Sequence, residues 1–257
     1  MPDISIIIPT KNESGCIGDT LRAVSQQLKR DRLSYEILVV DDASDDGTQE
    51  KALAESRRDR GIRLIRHPAP HAFGYSLRDG VKLAKGKMLV VMMADLSDDP
   101  KYLKQMWRKM NEGADVVAGS RFLPGSRLSS YSAAKLLSNR LFNLAVQVFL
   151  LSPNVSDSSN NFKAFRASAA KKVPLESAGF EAGAELFLRM LISGARTAEL
   201  PVSWADRTIG KAKFRLKGAV LKYFGLFVRM MKLKYLQSPT ATGSRSPEDF
   251  KMGGASK

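Results

Sequence analysis

The sequence predicts an α/β fold: a doubly wound, mostly parallel sheet with helices on both of its faces. Three observations carry this. Apolar, β-branched runs alternate with stretches of helical periodicity over residues 1–120. The runs are continuous rather than alternating, which marks strands buried on both faces. The breaks after them are rich in Asp, Ser and Thr, and in open α/β sheets ligands bind at those strand ends.

The elements follow in order. "ISIIIP" (4–9) is a strand that breaks at Pro9, and residues 14–29 have helical spacing. "YEILVV" (35–40) is a second strand, stopping at "DDASDDGT", with a helix over 48–59. "IRLIRH" (62–67), a helix over 73–85 and "KMLVVMM" (87–93) come next, then a helix from 100 to 112 and "ADVVAGS" (114–120). Beyond 120 the rhythm loosens: a helix over 131–151, a strand at 162–166, a helix over 180–193 and a strand at 197–204. The segment 214–236 is apolar and basic together, and the last twenty residues have the composition of turns and disorder. The expected organisation is an α/β domain over 1–212, a basic amphipathic helix over 213–237 and a disordered tail over 238–257.

The composition is that of a globular protein, with 257 residues, 44% hydrophobic and 26% charged. A single cysteine, Cys16, excludes an internal disulfide and suits a reducing compartment. "MPDISIIIPTK" has no basic stretch before its apolar run and reads as a cytosolic start. The formal charge is +15, and residues 207–257 carry twelve Lys or Arg against Glu248 and Asp249, so this end supplies +10. Such a bias points to an anionic partner, either nucleic acid or an anionic membrane surface.

The basic residues sit beside a hydrophobic helix instead of interleaving with aromatics, which favours the membrane and argues against nucleic acid. The longest charge-free run in 214–236 is 223–228, far below the ~20 residues needed to cross a bilayer. On a helical wheel Lys222, Arg229 and Lys232 share one side, which suits a helix lying in the interface. The plainer alternative is a helix packed on the protein's own core. The run 141–151 is also too short to span, and either packs in the core or lines a lipid groove.

The expected strand ends carry Pro9-Thr10-Lys11-Asn12-Glu13, Asp41-Asp42, Asp95 with Ser97 and Asp98, and Gly119-Ser120-Arg121. Crowded carboxylates repel one another unless a cation or hydrogen-bond donors lie between them. A hard cation with oxygen ligands, which usually also holds substrate phosphates, is the simplest resolution. Asp98 and Asp99 before Pro100 also fit a plain helix start. Residues 44–47 fit a plain turn, which leaves Asp41 and Asp42 unexplained. The dinucleotide fingerprint G-x-G-x-x-G and the P-loop are both missing, which disfavours nicotinamide, flavin and P-loop ATPase chemistry.

Five segments in order, "SIIIPTKNE", "EILVVDDASDDGT", "GYSLRDGVKLAKGKMLVVMMADLSDDP", "ADVVAGSRF" and "WADRTIGKAKF", resemble the inverting family 2 glycosyltransferases of GT-A fold. Within them the resemblance is closest to the polyprenol (dolichol) phosphate mannose or glucose synthases, and it covers roughly residues 3–215. It implies that Pro9, Lys11 and Glu13 form the first nucleotide-contacting turn and that Asp41 and Asp42 hold base and ribose. Asp95 falls on the last carboxylate of the family's D-x-D pattern, which holds Mg2+ or Mn2+ on the donor diphosphate, with Met93 and Ala94 beside the nucleotide. Arg121 falls on a basic residue after the fifth strand, and Arg207 and Lys213 on a pair that closes over the phosphates.

One position departs from the pattern. Where the family has Asp-Ala-Asp, this chain has Met93-Ala94-Asp95. Metal coordination then rests on Asp95 with water and diphosphate oxygens, Ser97 and Asp98 being further candidate ligands.

The implied reaction moves a sugar, mannose or glucose, from a GDP- or UDP-sugar to polyprenyl or dolichyl phosphate with inversion, in the making of cell-envelope glycans. A phosphate acceptor is already an anion, so no strong base is needed; the only histidines are His67 and His71. Arg121, Arg140, Arg207 and Lys213 are the candidates for holding the acceptor phosphate, with Asp95 completing the catalytic set. The expected location is the cytoplasmic face of a membrane, peripherally attached, with a separate membrane subunit as a further partner. Transfer to a saccharide hydroxyl is the alternative, and it would call for a base such as Glu181 or Glu185, residues that could equally pair with Arg189. A second alternative is a non-catalytic relative that binds nucleotide or nucleic acid.

Overall fold

The computed structural model describes residues 1–129, 131–150, 155–205 and 216–237. Arg207, Lys213 and the expected tail therefore lie outside the described residues.

The strands are β1 (Ile4–Thr10), β2 (Tyr35–Asp41), β3 (Ile62–Arg66), β4 (Met88–Val91), β5 (Val116–Ser120), β6 (Leu128–Ser129), β7 (Lys163–Arg166), β8 (Thr197–Pro201) and β9 (Trp204–Ala205). The helices are α1 (Ile17–Arg30), α2 (Thr48–Arg58), α3 (Phe73–Leu83), α4 (Leu103–Asn111), α5 (Ala133–Phe149), α6 (Ala167–Ala170), α7 (Ala182–Ile192) and α8 (Leu216–Lys232). Seven strands form one sheet in the order β3-β2-β1-β4-β7-β5-β8, and β6 with β9 makes a small second ribbon. All neighbours in the main sheet are parallel except β7, which runs antiparallel to both β4 and β5.

The continuous runs are buried on both faces, as their composition requires: every residue of β1, β4 and β5 is buried. Their side chains divide by alternation. Ile4, Ile6 and Ile8 enter one core layer with α1 and α4, whereas Ile7, Leu38 and Val91 enter the other with α3 and α7. Gly119 is needed where β5 passes β7, because a Cβ there would lie 2.9 Å from the Phe162 carbonyl oxygen.

Two expectations are corrected. The stretch 197–204 is two short strands, not one, and β6 was not foreseen, because two-residue pairings leave no periodicity to read. The cationic stripe on α8 is also broken. Lys222 and Lys232 are exposed, but Arg229 turns inward and donates to Ser177 Oγ at 2.6 Å, beside buried Leu226 and Met230. What α8 exposes instead is apolar: Val220, Leu221 (74% exposed), Phe224 (64%) and Val228.

Candidate functional site

In the order β3-β2-β1-β4, successive parallel strands progress one way and then jump to the far side of β1. This places a switch point between β1 and β4, where open α/β sheets bind ligands. The loops after these two strands carry Lys11–Glu13 and residues 93–98. Four non-glycine residues with left-handed φ lie in the loops at this end: Asn12 (50°), Ala43 (54°), Ala72 (83°) and Leu96 (56°). Such conformations cost on the order of 1–3 kcal/mol each and persist only where surrounding contacts enforce them.

The enforcing contacts are visible. Asp42 is buried and accepts from the backbone N–H groups of His71 (2.6 Å) and Ala72 (3.1 Å), fixing the loop before α3. Its Oδ1 also lies 3.4 Å from His67 Nδ1, and His67 Nε2 lies 2.9 Å from Asp79. Asp41 is fully buried and accepts from Ser44 N–H (3.0 Å) and Gln49 Nε2 (2.7 Å). Lys11 Nζ donates to the carbonyls of Asp42 and Ala43 at 2.7 and 3.2 Å. Pro9 is buried within β1 opposite Val40, and the Ala94 carbonyl accepts from Thr20 Oγ1 at 2.6 Å. These residues thus build the rigid floor of the switch point.

A cavity of about 500 Å³ opens in front of it. Its lining includes Glu13, Asp95, Ser97 and Asp98, with Met93. Asp99 makes the plain helix start that the sequence allowed, accepting from Lys101 N–H at 3.0 Å with Pro100 following. Asp98 does not. It turns back, 97% buried, to accept from Met93 N–H at 2.9 Å, and burial, reinforced by Asp95, raises its carboxyl to about 7. Two carboxylates and the Ser97 hydroxyl thus offer hard oxygen donors to the cavity, and no group of three or more His, Cys, Asp or Glu that could hold a metal ion occurs among the described residues.

The lining also carries two cations, Arg121 and Lys135. Arg121, 8% exposed, is gripped by Asp157 through Nε (2.7 Å) and Nη2 (3.0 Å), and also donates to Tyr131 and Ser159. Burial works to raise the Asp157 carboxyl, but the Arg121 charge and hydrogen bonds win and hold it below its ordinary value. Lys163 lies fully buried behind, and burial lowers its ammonium to about 8. Lys135, Ser138 and Asn139 of α5 complete this part of the wall.

The lining also has an apolar part, in which Leu141, Phe142 and Ala145 of α5 meet Val220, Tyr223, Phe224 and Phe227 of α8, with the Tyr223 hydroxyl 3.5 Å from the Ser159 carbonyl oxygen. The rings of Phe142 and Tyr223 meet edge to face at 5.1 Å. Outside the cavity α5 also exposes Leu137 (61%), Leu144, Val148 and Phe149.

Of the sequence candidates, the cavity brings together Glu13, Met93, Asp95, Ser97, Asp98 and Arg121. Arg140 is exposed and stacks over Phe122 at 5.0 Å, outside the lining. Glu185 is a structural group: fully buried, it accepts from Ser177 N–H at 2.7 Å and pairs with Arg189 at 2.9 Å. Glu181 accepts from Gly179 N–H at 3.1 Å and also lies off the lining. Sequence reasoning missed the loop 155–161, which supplies Asp157, Ser159, Asn160 and Asn161. Its signal was the polar cluster "SDSSNN" directly before an expected strand.

A mostly parallel sheet with one antiparallel strand and acids at its switch point defines the GT-A class of transferase folds. Residues 5–174 match the family model described as "Glycosyl transferase family 2", and the chain belongs to that family. It is 28% identical over 232 residues to the dolichol-phosphate mannosyltransferase of Pyrococcus furiosus, covering 89% of this chain and 64% of that protein's length. It is also 28% identical over 213 residues to the undecaprenyl-phosphate mannosyltransferase of Micrococcus luteus, covering 80% and 85%. Among solved structures, glucosyl-3-phosphoglycerate synthase from Mycobacterium tuberculosis, in complex with Mn2+, UDP and glucosyl-3-phosphoglycerate, superposes with a TM-score of 0.67 at 17% identity, covering 91% of this chain and 80% of that one.

Proposed function

We propose that this chain transfers a hexose, mannose or glucose, from a nucleoside-diphosphate sugar to a polyprenyl phosphate, with inversion at the anomeric carbon. The observation that carries this is the lining of one cavity, which combines carboxylates from the switch-point loops, a buried arginine and apolar residues of α5 and α8. A lipid that bears a phosphate calls for both a buried cation and an apolar wall. The relatives named for dolichol- and undecaprenyl-phosphate mannosyl transfer support the reading.

In this reading Lys11, Glu13, Asp41 and Asp42 shape the nucleotide end, and Asp95, with Ser97 and Asp98, would hold Mg2+ or Mn2+. The metal, when bound, would neutralise charge on the departing diphosphate. Arg121 with Lys135 and Ser138 holds the acceptor phosphate, whose oxygen attacks the face of the sugar opposite the leaving group. Arg207 and Lys213 would close over the phosphates, and Arg140 would reach the acceptor from the rim. Catalysis is positioning and electrostatic stabilisation, since the nucleophile is already ionised. The apolar faces of α5 and α8, with Lys222 and Lys232 beside them, rest on the anionic cytoplasmic surface of a membrane. No helix among the described residues is long and apolar enough to cross one.

Transfer to a saccharide hydroxyl fits less well, because Glu185 is committed to Arg189 and Ser177, and Glu181 accepts from Gly179 N–H and lies off the cavity lining. The test is a donor panel with short-chain polyprenyl phosphate and Mg2+ or Mn2+, read as nucleoside diphosphate release. The expected result is release that needs both lipid and metal and disappears in Asp95→Ala. Release without lipid would overturn the acceptor assignment.

A further inference from the structure

Helix α5 has two faces with different tasks. Its outer face, with Leu137, Leu141, Leu144 and Val148, is exposed and apolar. Its inner face carries two polar residues one turn apart, Asn143 and Gln147, which therefore stand one above the other. Both reach the loop 155–161. Gln147 Nε2 donates to the Val155 carbonyl at 2.7 Å, and Asn143 Oδ1 accepts from Ser158 N–H at 2.8 Å and Ser158 Oγ at 2.6 Å. Between these two anchor points lies Asp157, the counter-ion that grips Arg121.

The opposite side of the loop is tied to the sheet. Glu199 of β8 accepts from Ser156 N–H (3.0 Å), Ser156 Oγ (2.8 Å) and Asp157 N–H (3.2 Å). Lys163 of β7 donates to the carbonyls of Ser158 and Asn160. The loop is thus fixed to a rigid sheet on one side and hooked to one helix on the other.

Asn143 itself is 3% exposed, and its Nδ2 has no hydrogen-bond partner among the described residues. A buried asparagine in mid-helix with an unpaired amide is a poor choice for stability alone. A leucine would remove the unpaired amide but take the acceptor from the buried Ser158 N–H and hydroxyl, so what the asparagine supplies is its hold on Ser158.

We infer that Asn143 is a positioning residue: through Ser158 and Asp157 it sets the Arg121 guanidinium for the acceptor phosphate, so that the seating of α5 governs acceptor turnover. This rests on the proposed transfer to a lipid phosphate. Asn143 itself lies off the cavity lining. Its effect falls on the acceptor half of the reaction, because the nucleotide end is built from β1, β2 and the 93–98 loop, which α5 does not hold.

The experiment uses the full chain with polyprenyl phosphate in vesicles, comparing wild type with Asn143→Leu and Gln147→Leu. Nucleoside diphosphate release is measured against both substrates, alongside donor binding by calorimetry and thermal melting. Asn143→Leu is expected to lower kcat about tenfold, the loss of one to two hydrogen bonds' worth of orientation, with donor KM and donor affinity unchanged. Gln147→Leu should move kcat the same way by less. Unchanged kcat in folded Asn143→Leu, or donor and acceptor constants falling together with the melting temperature, would overturn the inference. Should Asn143→Leu fail to fold, Ser158→Ala removes the hydroxyl bond alone and must show the same split, more weakly. Wild type that binds donor but shows no lipid-dependent release would remove the acceptor assignment itself, a result distinct from an active wild type with an indifferent variant.

Discussion

Arg121 and Asp157 form a bidentate pair in which both side chains are buried, with Nε–Oδ2 at 2.7 Å and Nη2–Oδ1 at 3.0 Å. Breaking such a pair on one side leaves an uncompensated buried charge, typically worth about 3 kcal/mol or more. Asp157→Ala is therefore expected to destabilise the fold by about 3 kcal/mol. Replacing both residues with apolar ones of similar size should cost less than either single change. Urea unfolding of the two single variants and the double variant checks this, and additive losses would contradict it.

Glu185 gives a pH prediction with a definite sign. Burial acts to raise its carboxyl, but the Ser177 N–H and Arg189 lower it below 4.5 in the folded protein. A group depressed by folding contributes stability above its unfolded value and loses it as pH falls through the folded one. Stability should then decline below about pH 4.5. Glu185→Gln should be less stable at pH 7 and flatten that decline. The pH dependence of turnover above pH 6 should be unchanged, since Glu185 is not the base. Thermal melts across pH 3–7 with parallel rate profiles decide it.

Met93 stands where the family pattern has its first carboxylate. Met93→Asp would place a third acid beside Asp95 and Asp98, whose Oδ2 already receives the residue-93 N–H. The expected outcome is Mn2+ binding in the absence of donor about tenfold tighter than in wild type, since a hard cation gains an oxygen ligand. Titration followed by electron paramagnetic resonance of free Mn2+ measures it directly.

The exposed apolar faces of α5 and α8 should carry membrane attachment. Leu141 is 57% exposed and Phe224 64% exposed, one on each helix. Leu141→Glu with Phe224→Glu removes apolar area and adds charge repelled by anionic lipid. Co-sedimentation with vesicles containing phosphatidylglycerol should fall several-fold while nucleotide binding stays at the wild-type level. Retained sedimentation would assign attachment to another part of the chain.

Much of this was legible in the sequence, for a physical reason. Strands buried on both faces must be continuous apolar runs, so β1, β2, β4 and β5 announced themselves, and Asp95, Asp98 and Arg121 fell at their ends as the strand-end rule requires. That rule looks after a strand, never before it. Asp157 escaped because β7 is antiparallel, which brings the residues preceding it to the same edge as those following β4 and β5. Asp41 and Asp42 were legible as special but not as saturated, since the partners Ser44, His71 and Ala72 are fixed by loop geometry. Arg229 looked like part of a cationic stripe because a helical wheel records spacing and knows nothing of Ser177 across the gap.

The reversal of β7 also bears on how such a protein can diversify. A strand inserted head-to-tail among parallel neighbours delivers its incoming loop to the reaction face while its outgoing end, at Arg166, leaves on the opposite side and runs straight into α6. Substitutions just before Lys163 therefore reach the reaction face without rethreading any crossover helix. Insertions or deletions there would not be equally free, because Ser159 holds Arg121 and Asn160 holds the Gly119 carbonyl, so the length of this stretch is fixed even where its side chains could vary.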